Sequence, residues 1–297
     1  MMKTKVWFII NPISGRGKHT LERSQIENHF PESTYTIEVH ITQYKLHAHH
    51  LAQMAVAQKV DMVVACGGDG TINEVASALV NTGVTLGCIP LGSGNGFASH
   101  LRMPSDISRA LCMISDREST RIDIGKIDDS YFFSNMGIGF DAEVIHRHKR
   151  DNRNPFLAYL KAVLNAFKNY PFDYNLTFEI GNETHKIQPF MFFISNSNQM
   201  GYNFSLTPKA SLNDGKLDLV IIKRSSRLSI LTLGILLLFK MEKFYPGLQY
   251  HSIENLEVAH ERNEPITCQK DGELFPVSSD TIRICVIPNA LNVISNI

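Results

Sequence analysis

Hydrophobic and polar positions change their rhythm once along this chain. Up to about residue 120, short continuous apolar runs alternate with longer segments whose apolar residues recur at three and four. "KVWFII" (5–10), "TYTIEVHIT" (34–42), "DMVVAC" (61–66) and "TLGCIP" (85–90) predict strands. Helices are expected between and after them, at about 18–30, over "HAHHLAQMAVAQK" (47–59), "TINEVASALV" (71–80), "NGFASHL" (95–101) and "ISRALCMI" (107–114). Strand–helix alternation of this kind implies a parallel sheet covered on both faces.

From "TRIDIGKID" (120–128) onward, short alternating segments dominate: "YFFSNMG", "NLTFEI", "FMFFISN", "LDLVII", "NLEVAH", "PITCQ" and "TIRICVI". Turn signals such as "NDG" and "IGNE" separate them, and helices are expected only near 155–169 and 227–241. This pattern divides the chain into an α/β domain at 1–122 and a β-rich domain at 123–297. The leucines of "LSILTLGILLLF" (228–239) predict a buried helix, with a lipid-facing one as the alternative.

Composition narrows the function classes. Across 297 residues, 43% are hydrophobic and 20% charged, as in ordinary globular proteins. Lys plus Arg and Asp plus Glu both number 29, which argues against a whole-chain nucleic-acid binder and leaves a membrane surface open as a partner. Five separated cysteines, without a C-x-x-C pair, suit reduced thiols in a cytoplasm. The start "MMKTKVWFIINP" reaches Asn-Pro in place of a cleavage site and reads as a first strand, not an export signal. The apolar stretch at 228–239 is too short for a transmembrane segment, so membrane contact would be peripheral.

Three glycine-rich turns follow strands at equivalent positions: "NPISGRGK" (11–18), "GGDGT" (67–71) and "PLGSGNGF" (90–97). In an open α/β sheet such turns gather at the carboxyl edge, where ligands bind. Glycine admits a ligand close to the backbone, and successive N–H groups at a helix start can cradle phosphate. Neither G-x-x-x-x-G-K-[ST] nor G-x-G-x-x-G is present, so the Walker and Rossmann readings are disfavoured.

"NPISGRGK", "GGDGTINEV" and "IPLGSGNGFA" together resemble the motif set of the diacylglycerol kinase catalytic-domain family, which includes bacterial lipid kinases and sphingosine kinases. "RIDIG" (121–125), "GIGFDAEV" (137–144), "SLNDGKLDL" (211–219) and "KDGE" (270–273) extend the match in order over nearly the whole chain. The resemblance implies an α/β nucleotide domain like that of NAD kinases, followed by a β-sandwich. ATP would occupy the cleft between them, and the end of the chain would return to the first domain. It also implies γ-phosphoryl transfer to a lipid hydroxyl at a membrane surface, with ATP and Mg²⁺ as cofactors, in a cytoplasmic protein for which a homodimer stays open. A small-molecule kinase of NAD-kinase type and a catalytically silent nucleotide or lipid sensor are the competing classes.

By the same resemblance, Asn11, Ser14, Gly15, Thr42, Gly67, Gly68, Gly70, Thr71, Asn73 and Ser93 would contact nucleotide. Asp69 would hold catalytic Mg²⁺ or orient the acceptor hydroxyl; a helix-capping role is its plain alternative. Glu273 would be the proton acceptor, with Asp69 as rival and Asp271 beside it in a predicted Asp-Gly hairpin. Asp214, with carbonyls of Ser211 and Lys216, forms a second metal candidate of the oxygen-rich kind that suits Mg²⁺. Asp123 could assist at the cleft, and Asp141 or Glu143 could meet a lipid headgroup. The histidines of "HAHH" (47–50) read as solvated helix-start residues and not as a zinc site; "HRHKR" (146–150) reads as an exposed basic segment. Many bacterial diacylglycerol kinases carry Asn-Asp in the third motif. Gly96 stands in that place here, in a string closer to the sphingosine kinase form, so diacylglycerol and sphingoid acceptors both remain open.

Overall fold

The computed structural model describes residues 3–17, 21–92, 94–116, 118–148, 155–169, 175–181, 183–198, 205–239, 241–260 and 266–296. Strands β1 (Thr4–Ile10), β2 (Tyr35–Ile41), β3 (Met62–Gly67) and β4 (Thr85–Pro90) form a parallel array in the order β2-β1-β3-β4. Helices α1 (Arg23–His29), α2 (His47–Ala57), α3 (Asp69–Leu79), α4 (Gly96–His100) and α5 (Ile107–Asp116) accompany them. The inner strands β1, β3 and β4 are nearly continuous buried runs, whereas edge strand β2 is half exposed. Helix α1 begins later than its periodicity predicts, because Glu22 and Gln25 form a reciprocal capping box that sets its start. The chain steps one way from β1 to β2 and the other way to β3. Loops leaving β1 and β3 therefore flank the crevice where this kind of sheet binds ligands.

The remainder contains β5 (Ser119–Ile127), β6 (Ser130–Phe132), β7 (Asn135–Gly139), α6 (Phe140–Arg147), α7 (Pro155–Lys168), β8 (Leu176–Ile180), β9 (Glu183–Ile187) and β10 (Pro189–Ser195). It continues through β11 (Leu217–Lys223), α8 (Arg227–Leu238), β12 (Leu248–Ile253), β13 (Asn255–His260), β14 (Ile266–Lys270), β15 (Glu273–Val277) and β16 (Thr281–Ile294). Two sheets result. One is antiparallel, ordered β12-β11-β10-β7-β14-β15. The other extends the first parallel array as β4-β16-β13-β8-β9, with β5 and β6 branching from β16.

Ile138, Phe192 and Leu219 from the antiparallel sheet meet Phe178, Val258 and Ile282 from the other in one buried cluster. That apolar layer makes the sandwich, and the alternation of these strands in sequence is its imprint. The fold class is thus the one expected: a largely parallel α/β array followed by an antiparallel sandwich. Strand β16 serves both parts. Its early residues pair with β13, and Asn292 and Val293 lie parallel to Thr85 and Leu86 of β4.

Three local expectations change. The single strand expected at 131–137 is two, β6 and β7, because the amides of Phe133, Ser134 and Asn135 turn toward Asp271. "GFDAEV" forms the start of α6, which the pattern did not announce. Helix α8 is not a buried helix: Ile230 and Leu233 enter the core, but Leu228, Leu231 and Ile235 are exposed.

Candidate active site

At the β3–α3 junction the glycines answer a packing demand. A Cβ on Gly67 would lie 2.6 Å from Thr71 Oγ1, and one on Gly92 would lie 2.7 Å from Gly68 Cα. Contacts that short do not occur, so only glycine lets the loops after β3 and β4 lie against each other. The loop after β1 closes on the same point. Asn11 Nδ2 donates to Thr71 Oγ1 (2.9 Å), and the Gly68 amide donates to Ser14 Oγ (3.3 Å). Gly15, with φ +59°, turns the short 3-10 segment Ser14–Gly17. Thr42 reaches this edge from β2, its amide bonded to Ile10 O (2.9 Å). Asn73 is half-buried on α3, Gly70 is exposed on its first turn, and Ser93 lies outside the described residues.

Asp69 opens α3 and reaches the third loop. Its Oδ2 accepts the Asn95 amide at 2.7 Å, and the amides of Gly96 and Phe97 also favour its ionised form. Burial opposes them and prevails, so the carboxyl sits above the usual aspartate range. The side chain therefore caps α4, whose N-cap Asn95 is left-handed with φ 52°. Asn95 further clamps the loop through Gly92 N→Oδ1 (3.0 Å) and Nδ2→Gly92 O (2.7 Å), a role the motif alone did not reveal.

Opposite α3 stands the β14–β15 hairpin. Asp271 and Gly272 have φ 48° and 79°, a tight turn with both central residues left-handed, as the Asp-Gly step predicts. That turn sends the two carboxylates in different directions. Asp271 folds back over β7 and accepts the amides of Phe133 (2.9 Å), Ser134 (2.7 Å) and Asn135 (3.1 Å). Burial nonetheless pushes its pKa up to about 6, against those amides and Lys270. Glu273 is exposed and points across the gap: its Oε1 is 3.6 Å from where a Cβ on Gly70 would be. Beside it, burial lowers the pKa of Lys270, while Asp271 and Glu273 act to raise it, and its Nζ lies 4.8 Å from the Phe275 ring centroid.

Gln269, absent from the sequence-based candidates, couples this hairpin to α6. Its Nε2 donates to Asn135 Oδ1 (2.8 Å) and Asp141 Oδ2 (3.2 Å), and its Oε1 accepts the Gly272 amide (3.0 Å). Asp141 packs over β7 where a Cβ on Gly137 would overlap it at 1.7 Å. Burial raises its pKa to about 7, and its Oδ1 is buried without a hydrogen bond. Glu143 is committed elsewhere, to Arg147 and His146. Asp123 is committed too: Gly215 N reaches Oδ2 (2.6 Å) and Asn289 N reaches Oδ1 (2.8 Å), so it knits three segments and faces no cleft.

On the 211–216 turn, Asp214 is exposed and accepts the Lys216 amide (3.1 Å), while Ser211 Oγ donates to Asn213 Oδ1 (2.7 Å). Nearby Asp218 has a raised pKa, from burial first and from the charge of Asp214 second. A hard cation would relieve that like-charge pair, so the residues suit the expected metal. In "HAHH", His47 stacks on Tyr44 (4.4 Å) and His49 Nδ1 bonds Glu74 O (3.0 Å). Among the described residues no group of three or more His, Cys, Asp or Glu is placed around a metal. Lys149 and Arg150 of "HRHKR" lie outside the described residues.

Comparison with known proteins agrees with this layout. Two family models match in tandem, the diacylglycerol kinase catalytic domain over residues 5–127 and the YegS C-terminal NAD kinase beta sandwich-like domain over 134–295. The diacylglycerol kinase of Bacillus subtilis is 31% identical over 223 residues, 73% of each chain. The "Probable lipid kinase YegS-like" protein of Pectobacterium atrosepticum is 28% identical over 98% of this chain and 96% of its own. A crystal structure described as a diacylglycerol kinase from Bacillus anthracis str. Sterne superposes with a TM-score of 0.72 at 17% identity, over 98% and 97% of the two chains. Another structure from that strain reaches 0.81 at 21% identity, over 98% and 95%. These structures share the fold. With the two domains in this order around these loops, the chain belongs to the diacylglycerol kinase catalytic-domain family of lipid kinases.

Proposed function

We propose that the protein transfers the γ-phosphoryl group of ATP to a hydroxyl of a diacylglycerol or sphingoid-type lipid. The observation that supports this most is the approach of Glu273 to Gly70: a carboxylate from the sandwich faces the glycine turn from which α3 starts. The amides around Gly68 and Gly70 would face the triphosphate, helped by the α3 dipole, and Asn11, Ser14, Thr42, Thr71 and Asn73 would surround it. Mg²⁺ bound with ATP supplies charge neutralisation at the transferred phosphoryl group.

Of the rival acids, Glu273 takes the acceptor's proton. Asp69 and Asp271 have their oxygens engaged by backbone amides and act as positioning residues, Asp69 for the third glycine loop and Asp271 for the hairpin. Asp141 would accept a headgroup hydroxyl or amine only if the cover over its buried Oδ1 moved aside. Asp214, with the carbonyls of Ser211 and Lys216, would hold a structural cation at the edge of the sandwich. The test is phosphorylation of a lipid panel with labelled ATP and Mg²⁺, with wild type against Glu273→Gln. Loss of a general base costs on the order of a hundredfold or more in kcat with little change in ATP affinity. Transfer by the variant at the wild-type rate removes Glu273 from this role; transfer to NAD and to no lipid removes the lipid reading.

A further inference from the structure

We propose that His100 is a positioning residue for phosphoryl transfer, the joint through which α4 sets the Glu273 hairpin against the glycine turns. His100 ends α4 and is buried. Its Nδ1 lies 2.9 Å from Ser197 Oγ and 3.3 Å from the Asn198 amide, just past the end of β10. An amide can only donate, so Nδ1 carries the lone pair, the ring proton sits on Nε2, and Ser197 Oγ donates as well. Burial first and the charge of Arg102 second lower the pKa of His100 to about 4, which keeps this acceptor unprotonated at neutral pH.

On either side of this contact the connections run on without a break. Toward the glycine turns, Asn95 caps α4 and gives its amide to Asp69 Oδ2 (2.7 Å). The five steps from Asn95 to His100 rise only about 7.5 Å, so α4 is a short strut. Toward the hairpin, Ser197 donates its amide to Ser134 O (3.1 Å), and Ser134 donates its own to Asp271 Oδ1 (2.7 Å). Asp271 begins the left-handed pair whose turn presents Glu273. A second line runs beside the first: the rings of Phe97 on α4 and Phe133 lie 5.5 Å apart, and the Phe133 amide reaches Asp271 Oδ2 (2.9 Å). One end of this path lies in the α/β array and the other in the sandwich.

The chemistry of the path suits alignment better than cohesion. Ser134, Ser195, Ser197 and Thr207 are all buried, where apolar side chains would cost less to desolvate. Ser197 O accepts Ser195 Oγ (2.6 Å) and Thr207 Oγ1 (3.0 Å), so the serine that meets His100 is itself held fast. Buried hydrogen bonds joined in this way are directional and rigidify one arrangement, whereas a purely apolar contact would let α4 slide on the sandwich. The catalytic consequence rests on the proposed transfer reaction with Glu273 as base; the hydrogen-bonded joint does not.

The experiment compares His100→Leu, which keeps bulk and removes the acceptor, with His100→Asn, whose Oδ1 can stand in for Nδ1. For the full chain, lipid phosphorylation gives kcat, calorimetric titration with Mg²⁺ and AMP-PNP gives nucleotide affinity, and amide exchange is followed over 133–135 and 269–273. A displacement of about 1 Å at a reacting centre can cost a hundredfold. His100→Leu is therefore expected to lose about tenfold or more in kcat, to bind AMP-PNP within about twofold of wild type, and to exchange faster in both segments. His100→Asn should return kcat to within about threefold of wild type and restore slow exchange, and Ser197→Ala should fall between the two. Wild-type kcat in His100→Leu, a His100→Asn protein as slow as His100→Leu, nucleotide affinity that falls in step with kcat, or unchanged exchange in both segments would each overturn the proposal. A His100→Leu chain that does not fold passes the decision to Ser197→Ala, where wild-type kcat with wild-type exchange overturns it. Exchange that His100→Leu speeds and His100→Asn restores, in a protein that phosphorylates no lipid, upholds the joint and defeats the kinase reading.

Discussion

Gly70→Ala separates the two effects that a glycine at this junction can have. Gly70 lies in the first turn of α3 with exposed surroundings, and its φ is not in the left-handed region. A methyl group there meets Glu273 Oε1 at 3.6 Å, an ordinary contact that displaces nothing. Removing a helical glycine relieves backbone entropy worth about 0.5–1 kcal/mol, somewhat less so near a helix start. In a chain of this size that raises the melting temperature by about 2 °C. The same methyl fills the gap between the turn and the carboxylate, where, with Glu273 as the proposed base, the acceptor oxygen must come within about 3 Å of it. A misplacement of about 1 Å can cost a hundredfold in rate. The variant should therefore be slightly more stable and about a hundredfold slower in lipid phosphorylation, read by thermal melting and labelled-phosphate transfer on one preparation. Wild-type kcat in a folded Gly70→Ala protein would refute the reasoning, because the gap would then have no part in transfer.

Two further outcomes follow from the hairpin and its neighbours. Asp271→Asn turns an amide NH₂ toward one of three backbone donors and should lower stability by about 2 kcal/mol in urea unfolding; an unchanged midpoint would deny the carboxylate its structural role. Asp271 and Asp141 have folded pKa values of about 6 and about 7, above the roughly 4 of the unfolded chain. The folded state binds more protons across that interval, so these two groups make stability fall as pH rises from about 4 to about 7. Asp141→Asn should flatten the upper part of that slope in urea titrations at successive pH values, and a variant as pH-sensitive as wild type would contradict the shift.

Much of the architecture was legible because burial is written in the spacing of apolar residues. "PFMFFIS" is buried at every position, as a central strand of a covered sheet must be, and the Asp-Gly step placed its hairpin correctly. Helix α6 escaped notice since only Ala142 and Val144 of its eight residues are buried, too few to set a period. The glycine loops announced a site but not why each glycine is there; Gly92 answers to the backbone of Gly68, 24 residues earlier in the chain. Nor could sequence divide labour among the carboxylates. Asp271 and Glu273 are two residues apart, and their difference depends on amides more than a hundred residues upstream and on the twist of a two-residue turn. Asp123 likewise looked available until Gly215 and Asn289, distant in sequence, claimed both of its oxygens.

Strand β16 imposes an order on synthesis. β4 waits for its neighbour through roughly 190 residues, from Pro90 to Thr281, and β5 waits with it. At ribosomal speeds of about 5–20 residues per second, that delay is on the order of ten seconds or more. Through that interval the nascent parallel array presents an open apolar border, which a chaperone could shield and a neighbouring polysome could foul. The glycine-rich loops would gain their final rigidity only after β16 had been added, about 190 residues behind β4.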